Sequence, residues 1–297
     1  MRVRWAPLMD YAQLVGPLVL FLLMSVVGLQ LTPEDFRRVL AEPRAVVGGT
    51  LGQLLLLPLM TWALLSMLAL SPAFGAGAVL LAASPGAGLS NVMTAVARGH
   101  VALSVTLTGI SSVLAVVTLP ALAALGMRVF LGDAARVEVP VGHLVRQLLF
   151  FLLAPIAFGM WLRARRPGAV ARTVAWANRM VIFAIVALTA LGALSGEMNL
   201  PLGGEFAAAA VAALAWTLAA MGIGWGVATL LGLEANDRIT LLIEFSARNI
   251  ALAFIVAVGS LGRLDLALFS GAYAVTGFPL VIGLALLRGR WAAQPVA

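Results

Sequence analysis

Glu244 and Arg248 stand four residues apart in IEFSARNIA, residues 243–251, inside a stretch that is otherwise almost wholly apolar. At that spacing in a helix the two side chains lie one turn apart, within pairing reach. The guanidinium stays protonated in any protein environment. Upstream, ASPGAGLSN (83–91) interrupts another apolar run. Pro85 removes a backbone donor, Gly86 and Gly88 weaken a helix on either side, and Ser90 and Asn91 follow at once. Ser104 and Thr108 share a helix face by their spacing of four, and Gln53 adds a buried amide.

Hydroxyl, amide and carboxylate oxygens of this kind are what a hard cation needs when it leaves water. Interhelical hydrogen bonding, at about 0.6 kcal/mol per contact in membranes, would account for Ser, Thr or Gln53 alone. It does not account for Glu244, because an acidic residue at a helix centre costs about 2.5–3.5 kcal/mol. The chain has no cysteine and only two histidines, His100 and His143. Disulfides, thiolate metal sites and thiol nucleophiles are therefore excluded. Two histidines away from the Glu244 level also provide no nucleophile–base pair for an intramembrane enzyme.

These residues must be placed by membrane-spanning helices. Of 297 residues, 62% are hydrophobic and 10% charged, and the mean hydropathy is +1.06, against roughly 25% charged in soluble domains. Apolar runs of about 20 residues, enough to cross a hydrocarbon core of about 30 Å, recur throughout. They predict nine spans, at about 12–31, 45–69, 73–97, 101–127, 141–163, 172–194, 206–232, 238–260 and 264–287. The basic N-terminus resembles a secretory leader, yet its apolar part is long and no small-x-small site follows, so it is taken as the first span. Thr32-Pro33-Glu34-Asp35 opens a short interfacial helix over 33–43.

All 19 basic residues are Arg, which reflects codon usage more than chemistry, and the net charge of +7 marks orientation rather than nucleic acid. Eleven Arg (37, 38, 44, 98, 163, 165, 166, 172, 238, 288, 290) fall in one set of loops, and five (2, 4, 128, 136, 263) in the other. The positive-inside rule then puts the N-terminus outside and the C-terminus in the cytoplasm. Counted from the cytoplasmic ends at about 1.5 Å per residue, Asn91, Ser104, Thr108 and Glu244 lie about 6–12 Å deep, with Gln53 and Arg248 near 15 Å.

SPGAGLSNVMTAVARGHVALSVTLT (84–108), residues 24–58 and IEFSARNIALA (243–253) resemble the signatures of the bile acid:sodium symporter family, in the right order over nearly the whole chain. The resemblance implies an all-α, inverted-repeat carrier with nine transmembrane helices and discontinuous helices at spans three and eight. A core domain (45–131 and 206–288) would rock against a panel (12–31 and 141–194). Only the break in span three is visible in the sequence. The nine-helix count, one fewer than in most bacterial members, is shared with animal ones.

Residue by residue, the family's first sodium site falls on Ser90, Asn91, Ser104, Thr108 and Glu244, with all five types retained. Its second site uses the Glu, a Gln matching Gln53, and a Gln four after the Glu, where this chain has Arg248. Asn249 matches a residue facing the substrate crevice. Arg248 is therefore expected to pair with Glu244 as a tethered positive charge in place of a second ion, leaving one Na+ site. The alternative is an Arg248 that faces an aqueous crevice and meets the anion there. A loop histidine such as His100 is expected to be solvated. The function implied is sodium-driven symport of an amphipathic organic anion across the inner (plasma) membrane. Proton-coupled or uncoupled carriers of the same fold, and a ligand sensor, are the alternatives. The expected partners are the bilayer and the anion, with no nucleic acid, and nothing requires more than a monomer.

Overall fold

A computed structural model describes residues 20–68, 70–132, 140–170, 173–174, 176 and 204–292. The expected sixth span apart from residues 173–174 and 176, the start of the first, and Arg2, Arg4, Arg136, Arg172 and Arg179 lie outside the described residues. Among the described residues the secondary structure is helical, and the single β-bridge joins Gly86 to Arg248.

The elements, in order, begin with α1 (Leu20–Gln30), α2 (Pro33–Ala41) and α3 (Pro43–Met67). The helix expected from Thr32 is present. Thr32 and Asp35 cap each other reciprocally, and Pro33 occupies the first turn, where its missing N–H costs nothing. The third span is split into α4 (Pro72–Ala83) and α5 (Gly88–Val96), followed by the long α6 (Val101–Leu131) and by α7 (Val141–Arg165). Then come α8 (Gly204–Leu230), α9 (Ala235–Ser246) and α10 (Ile250–Ser260). A short 3-10 turn leads into α11 (Leu268–Val275) and α12 (Gly277–Trp291). Five stretches among the described residues, α3, α6, α7, Ala207–Leu230 and Leu264–Trp291, are long and apolar enough to cross a membrane.

The break after α4 is the one Pro85 and its glycines announce. The break between α9 and α10 has no such residue, and it is imposed from outside the segment. Arg248 N–H donates to the Tyr273 hydroxyl at 3.2 Å instead of continuing the helix, and that hydroxyl donates to Ser246 O. The two unwound segments then cross and pair through a single antiparallel bridge. Ala87 N donates to Ala247 O at 3.0 Å, and Asn249 N to Pro85 O at 3.1 Å. The last apolar stretch is also interrupted, at Thr276.

Two apolar clusters hold this crossing. One joins α3, α4, α5, α8, α9, α11 and α12 around the fully buried Trp216, whose ring meets Tyr273 edge-on at 5.6 Å and whose N–H donates to Thr61 Oγ1 at 2.7 Å. Tyr273 is thereby clamped at the position from which its hydroxyl breaks α9. The other cluster brings α1 and α7 onto α4, α6 and α10.

Helices α1 and α7 touch backbone to backbone. A Cβ on Gly28 would lie 2.1 Å from Ile156 O, and one on Gly159 2.1 Å from Ser25 O. Gly28→Ala and Gly159→Ala should each force the pair apart, at the roughly 1–3 kcal/mol typical of overpacking. The expected outcome is a thermal midpoint in detergent several degrees below the parent, while Gly271→Ala, which meets nothing within 4 Å, leaves it unchanged. Equal midpoints for all three would contradict the close crossing.

Candidate functional site

Glu244 is fully buried near the C-terminal end of α9, with hydroxyls from two other helices on its carboxylate. Ser90 from α5 donates to Oε1 at 2.6 Å, Ser104 from α6 to the same oxygen at 2.5 Å, and Thr108 from α6 to Oε2 at 3.1 Å. The spacing of four between Ser104 and Thr108 puts both on the face of α6 that meets α5 and α9. Ser90 can reach because the chain restarts as a helix at Gly88, immediately after the crossing. Asn91 Oδ1 lies 2.8 Å from Ser104 Oγ and completes the group. The five residues expected to assemble from the sequence are thus within one cluster.

The cluster holds more oxygen than hydrogen. Ser90 Oγ is 2.6 Å from both Ala87 O and Glu244 Oε1, and Ser104 Oγ contacts both Asn91 Oδ1 and Glu244 Oε1. Each hydroxyl has one proton to give. Three such protons therefore face two carboxylate oxygens, an amide oxygen and a main-chain carbonyl, a shortage that a small hard cation relieves. Among the described residues no group of three or more His, Cys, Asp or Glu is placed to hold a metal. One carboxylate with neutral oxygens suits a singly charged ion rather than a transition metal.

Arg248 is 2% exposed and points away from that carboxylate. Its Nη1 donates to Gln53 Oε1 at 2.8 Å and to the main-chain oxygen of Glu244 at 3.2 Å, and its Nη2 donates to Ala82 O at 3.1 Å and to Ser84 O. The expected carboxylate pair is not formed. Among the described residues, the ion pairs within 4.0 Å do not include Glu244 with Arg248. The reason lies in the broken helices. The turn-ending carbonyls of α4 lose their N–H partners at Pro85 and the crossing, and Glu244 O loses Arg248 N–H to the Tyr273 interaction. The guanidinium takes these orphaned acceptors at the negative ends of two half-helices. The expected alternative, an Arg248 open to an aqueous crevice, does not fit its burial either.

The remaining expected residues divide between these two clusters. Gln53 belongs with Arg248, held at a π-helical turn of α3 (Gly52–Leu56), and its Nε2 is buried without a partner. Asn249 caps α10, its Oδ1 accepting from Leu252 N at 3.0 Å, while its Nδ2 faces Met24 of α1. Gly88 packs on Val27. His143 is exposed. His100 is not simply solvated: its Nδ1 lies 2.8 Å from Asp237 Oδ1, and its main-chain N–H donates to Thr240 Oγ1.

Four contributors escaped sequence reasoning. Gln30, at the end of α1, accepts from Asn91 Nδ2 at 2.8 Å, and Arg163 of α7 donates to the carbonyls of Leu29 and Gln30. A polar path therefore runs from α7 through α1 to the Glu244 cluster. Thr94 donates to Ser104 at 3.2 Å, and its spacing of three and four from Asn91 and Ser90 was a usable signal. Tyr273, one of two tyrosines in the chain, carried the signal of a hydroxyl inside an apolar run.

The sequence profile described as Sodium Bile acid symporter family matches residues 17–196, more than half of the chain. The chain is 31% identical over 179 residues to the uncharacterized sodium-dependent transporter YocS of Bacillus subtilis, covering 60% of this chain and 54% of YocS. It is 28% identical over 290 residues to a probable chloroplastic sodium/metabolite cotransporter, BASS1 of Oryza sativa subsp. japonica, covering 96% of this chain and 66% of the relative. It is 27% identical over 260 residues to the P3 protein of Bos taurus, covering 83% and 52%. The chain thus spans about half the length of YocS and P3.

Gly86 closes the Glu244 cluster on one side. A Cβ there would sit 2.7 Å from Glu244 Oε2 and 3.0 Å from Thr108 Oγ1. If the cluster takes a cation, sodium chloride should raise the thermal midpoint of the purified protein relative to choline chloride, by mass action on the folded state. Gly86→Ala should remove that shift while the midpoint in choline falls by no more than a few degrees. A sodium shift undiminished in Gly86→Ala would separate cation binding from this cluster.

Proposed function

The chain belongs to the sodium bile acid symporter family, and on that premise we propose that it is a secondary active transporter in which one sodium ion drives symport of an amphipathic organic anion. The observation that carries the reading is the proton-poor oxygen cluster on Glu244, drawn from three helices. Sodium would bind Glu244, Ser90, Asn91, Ser104 and Thr108, replacing shared hydroxyl protons with a cation that every oxygen can face at once. Relatives named as a sodium-dependent transporter and a sodium/metabolite cotransporter support the choice of ion.

The second ion site would be filled by Arg248. Its guanidinium meets Gln53 Oε1 and carbonyl oxygens of Ala82, Ser84 and Glu244, a set of neutral oxygens that would otherwise suit a bare cation at two half-helix C-terminal ends. The anion would bind beside the crossing, where the N-termini of α5 and α10 begin and Asn249 faces α1. Helix starts of this kind favour negative charge. Residues 45–131 and 206–288 would form a core that rocks against a panel of 12–31 and 141–194. The protein would lie in the inner membrane with its N-terminus outside and C-terminus inside, nine spans being the odd number this requires.

Reconstitution tests the proposal. Proteoliposomes with an inward sodium gradient should accumulate taurocholate, lactate or a similar organic acid above a potassium-gradient control, with a Hill coefficient for sodium near one. Glu244→Gln should weaken sodium activation by roughly ten- to a hundredfold, matching about 1.5–3 kcal/mol for contacts to a charged group. A Hill coefficient near two would sink the substitution of Arg248 for an ion. Uptake that follows a pH gradient and ignores sodium would replace the coupling ion with a proton.

A further inference from the structure

We infer that the transport cycle moves no net charge: one sodium ion travels with one singly charged organic anion, and the empty carrier returns neutral. The inference rests on the proposed sodium symport and deepens it by fixing the substrate's charge.

The starting point is the interior charge. The buried charged side chains among the described residues are Asp35, Glu244 and Arg248. Asp35 belongs to the short α2, where its carboxylate accepts from the Thr32 hydroxyl and N–H at 2.7 Å each. The crossing therefore contains one acid and one base. Three hydroxyls contact the two oxygens of Glu244, and that carboxylate is taken as ionised, the acceptor-only form that donors on both oxygens suit. Arg248 cannot give up its proton. The two charges sum to zero.

That sum differs from the one a carrier with a neutral residue at position 248 would have. Its empty interior would hold a lone carboxylate, and it could carry two cations and one monoanion as a neutral set. Here the second positive charge is covalently attached and cannot leave with the substrate. With no ligand the crossing is neutral over the described residues, with sodium alone it is +1, and with sodium and a monoanion it is neutral again. Moving an uncompensated ion through a low-dielectric interior is heavily penalised. The states favoured for reorientation are thus the empty one and the one holding sodium with a single negative charge. The sodium-only state is left behind, and that prevents an ion leak without any additional gate. A dianion would leave the loaded carrier at −1, and a neutral or zwitterionic solute would leave it at +1.

The membrane potential reads these sums directly. One net charge crossing 100 mV gains or loses about 2.3 kcal/mol, a rate effect of up to about fiftyfold. A neutral cycle shows none. The test uses the full chain in proteoliposomes with an inward sodium gradient and a valinomycin-clamped potassium potential of either sign. The probes are taurocholate and lactate, with one negative charge each, and succinate, with two.

The expected result is monoanion uptake that changes less than twofold between clamps, and succinate uptake that is absent or slowed by an interior-negative clamp. Arg248→Lys should keep the insensitivity, whereas Arg248→Gln should carry out uptake with a Hill coefficient near two if its return step tolerates the lone carboxylate, and should become voltage-sensitive. Sodium-driven monoanion uptake of the parent that rises steeply with interior-negative potential overturns the inference and leaves sodium symport standing.

A second measurement needs no substrate and survives a poorly folding variant. A sodium concentration jump on parent proteoliposomes adsorbed to a capacitive electrode should displace charge once, saturating with a Hill coefficient of one, and no steady current should follow on adding taurocholate or lactate. Absence of a sodium-induced signal, together with absence of sodium-driven uptake of every probe, overturns the symport reading itself. A saturation curve with a coefficient of two overturns only the charge assignment.

Discussion

Two helices that stop in the middle of an apolar bundle leave main-chain carbonyls without partners, and everything at the centre of this protein follows from how those carbonyls are satisfied. In lipid there is no water to take them, and irregular backbone persists only where protein supplies the missing partners. Four main-chain groups solve part of the problem by pairing across the crossing, Ala87 with Ala247 and Asn249 with Pro85. Arg248 solves most of the rest, because a planar guanidinium with five donors can serve several carbonyls at once. A lysine has fewer donors and no fixed plane.

The same geometry separates two positive requirements that a single Glu–Arg pair would have merged. Had Arg248 turned toward the Glu244 carboxylate, each charge would have cancelled the other locally and no cation would be needed. Instead the guanidinium is spent on carbonyls, and the carboxylate is left to hydroxyls of Ser90, Ser104 and Thr108, which share too few protons among too many oxygens. The two groups remain close enough to balance over the bundle as a whole, while each keeps its own coordination.

Much of the arrangement was legible in the sequence. Hydropathy located the five stretches that are long and apolar enough to cross a membrane among the described residues. Thr32 and Pro33 announced α2, and Pro85 with its glycines announced the first break. The polar residues at a common depth on spans three, four and eight are those that meet at Glu244. Two features could not be read. The second break lacks Pro and Gly because its cause is remote: Tyr273, held edge-on by Trp216, takes Arg248 N–H from 25 residues away in sequence. The direction of the Arg248 side chain was equally hidden, since spacing of four permits pairing with Glu244 but cannot register that four better-placed oxygens exist on α3, α4 and the α9 backbone. The contact of Gln30 with Asn91 joins elements 61 residues apart and leaves no local pattern.

The Gln30 contact bears on how an ion could move a helix. Asn91 is held on one side by Ser104, which touches Glu244, and on the other by Gln30 of α1, whose terminal carbonyls are fixed by Arg163 of α7. Any ligand drawing the Asn91 oxygen toward Glu244 must reorient the amide, and the amide nitrogen is bonded to Gln30. Gln30 Nε2 is itself buried without a partner, so the contact is under-satisfied as it stands. The contact thus lies between the Glu244 cluster and a helix pair that touches backbone to backbone, and it joins the two through hydrogen bonds to a single side chain, Asn91.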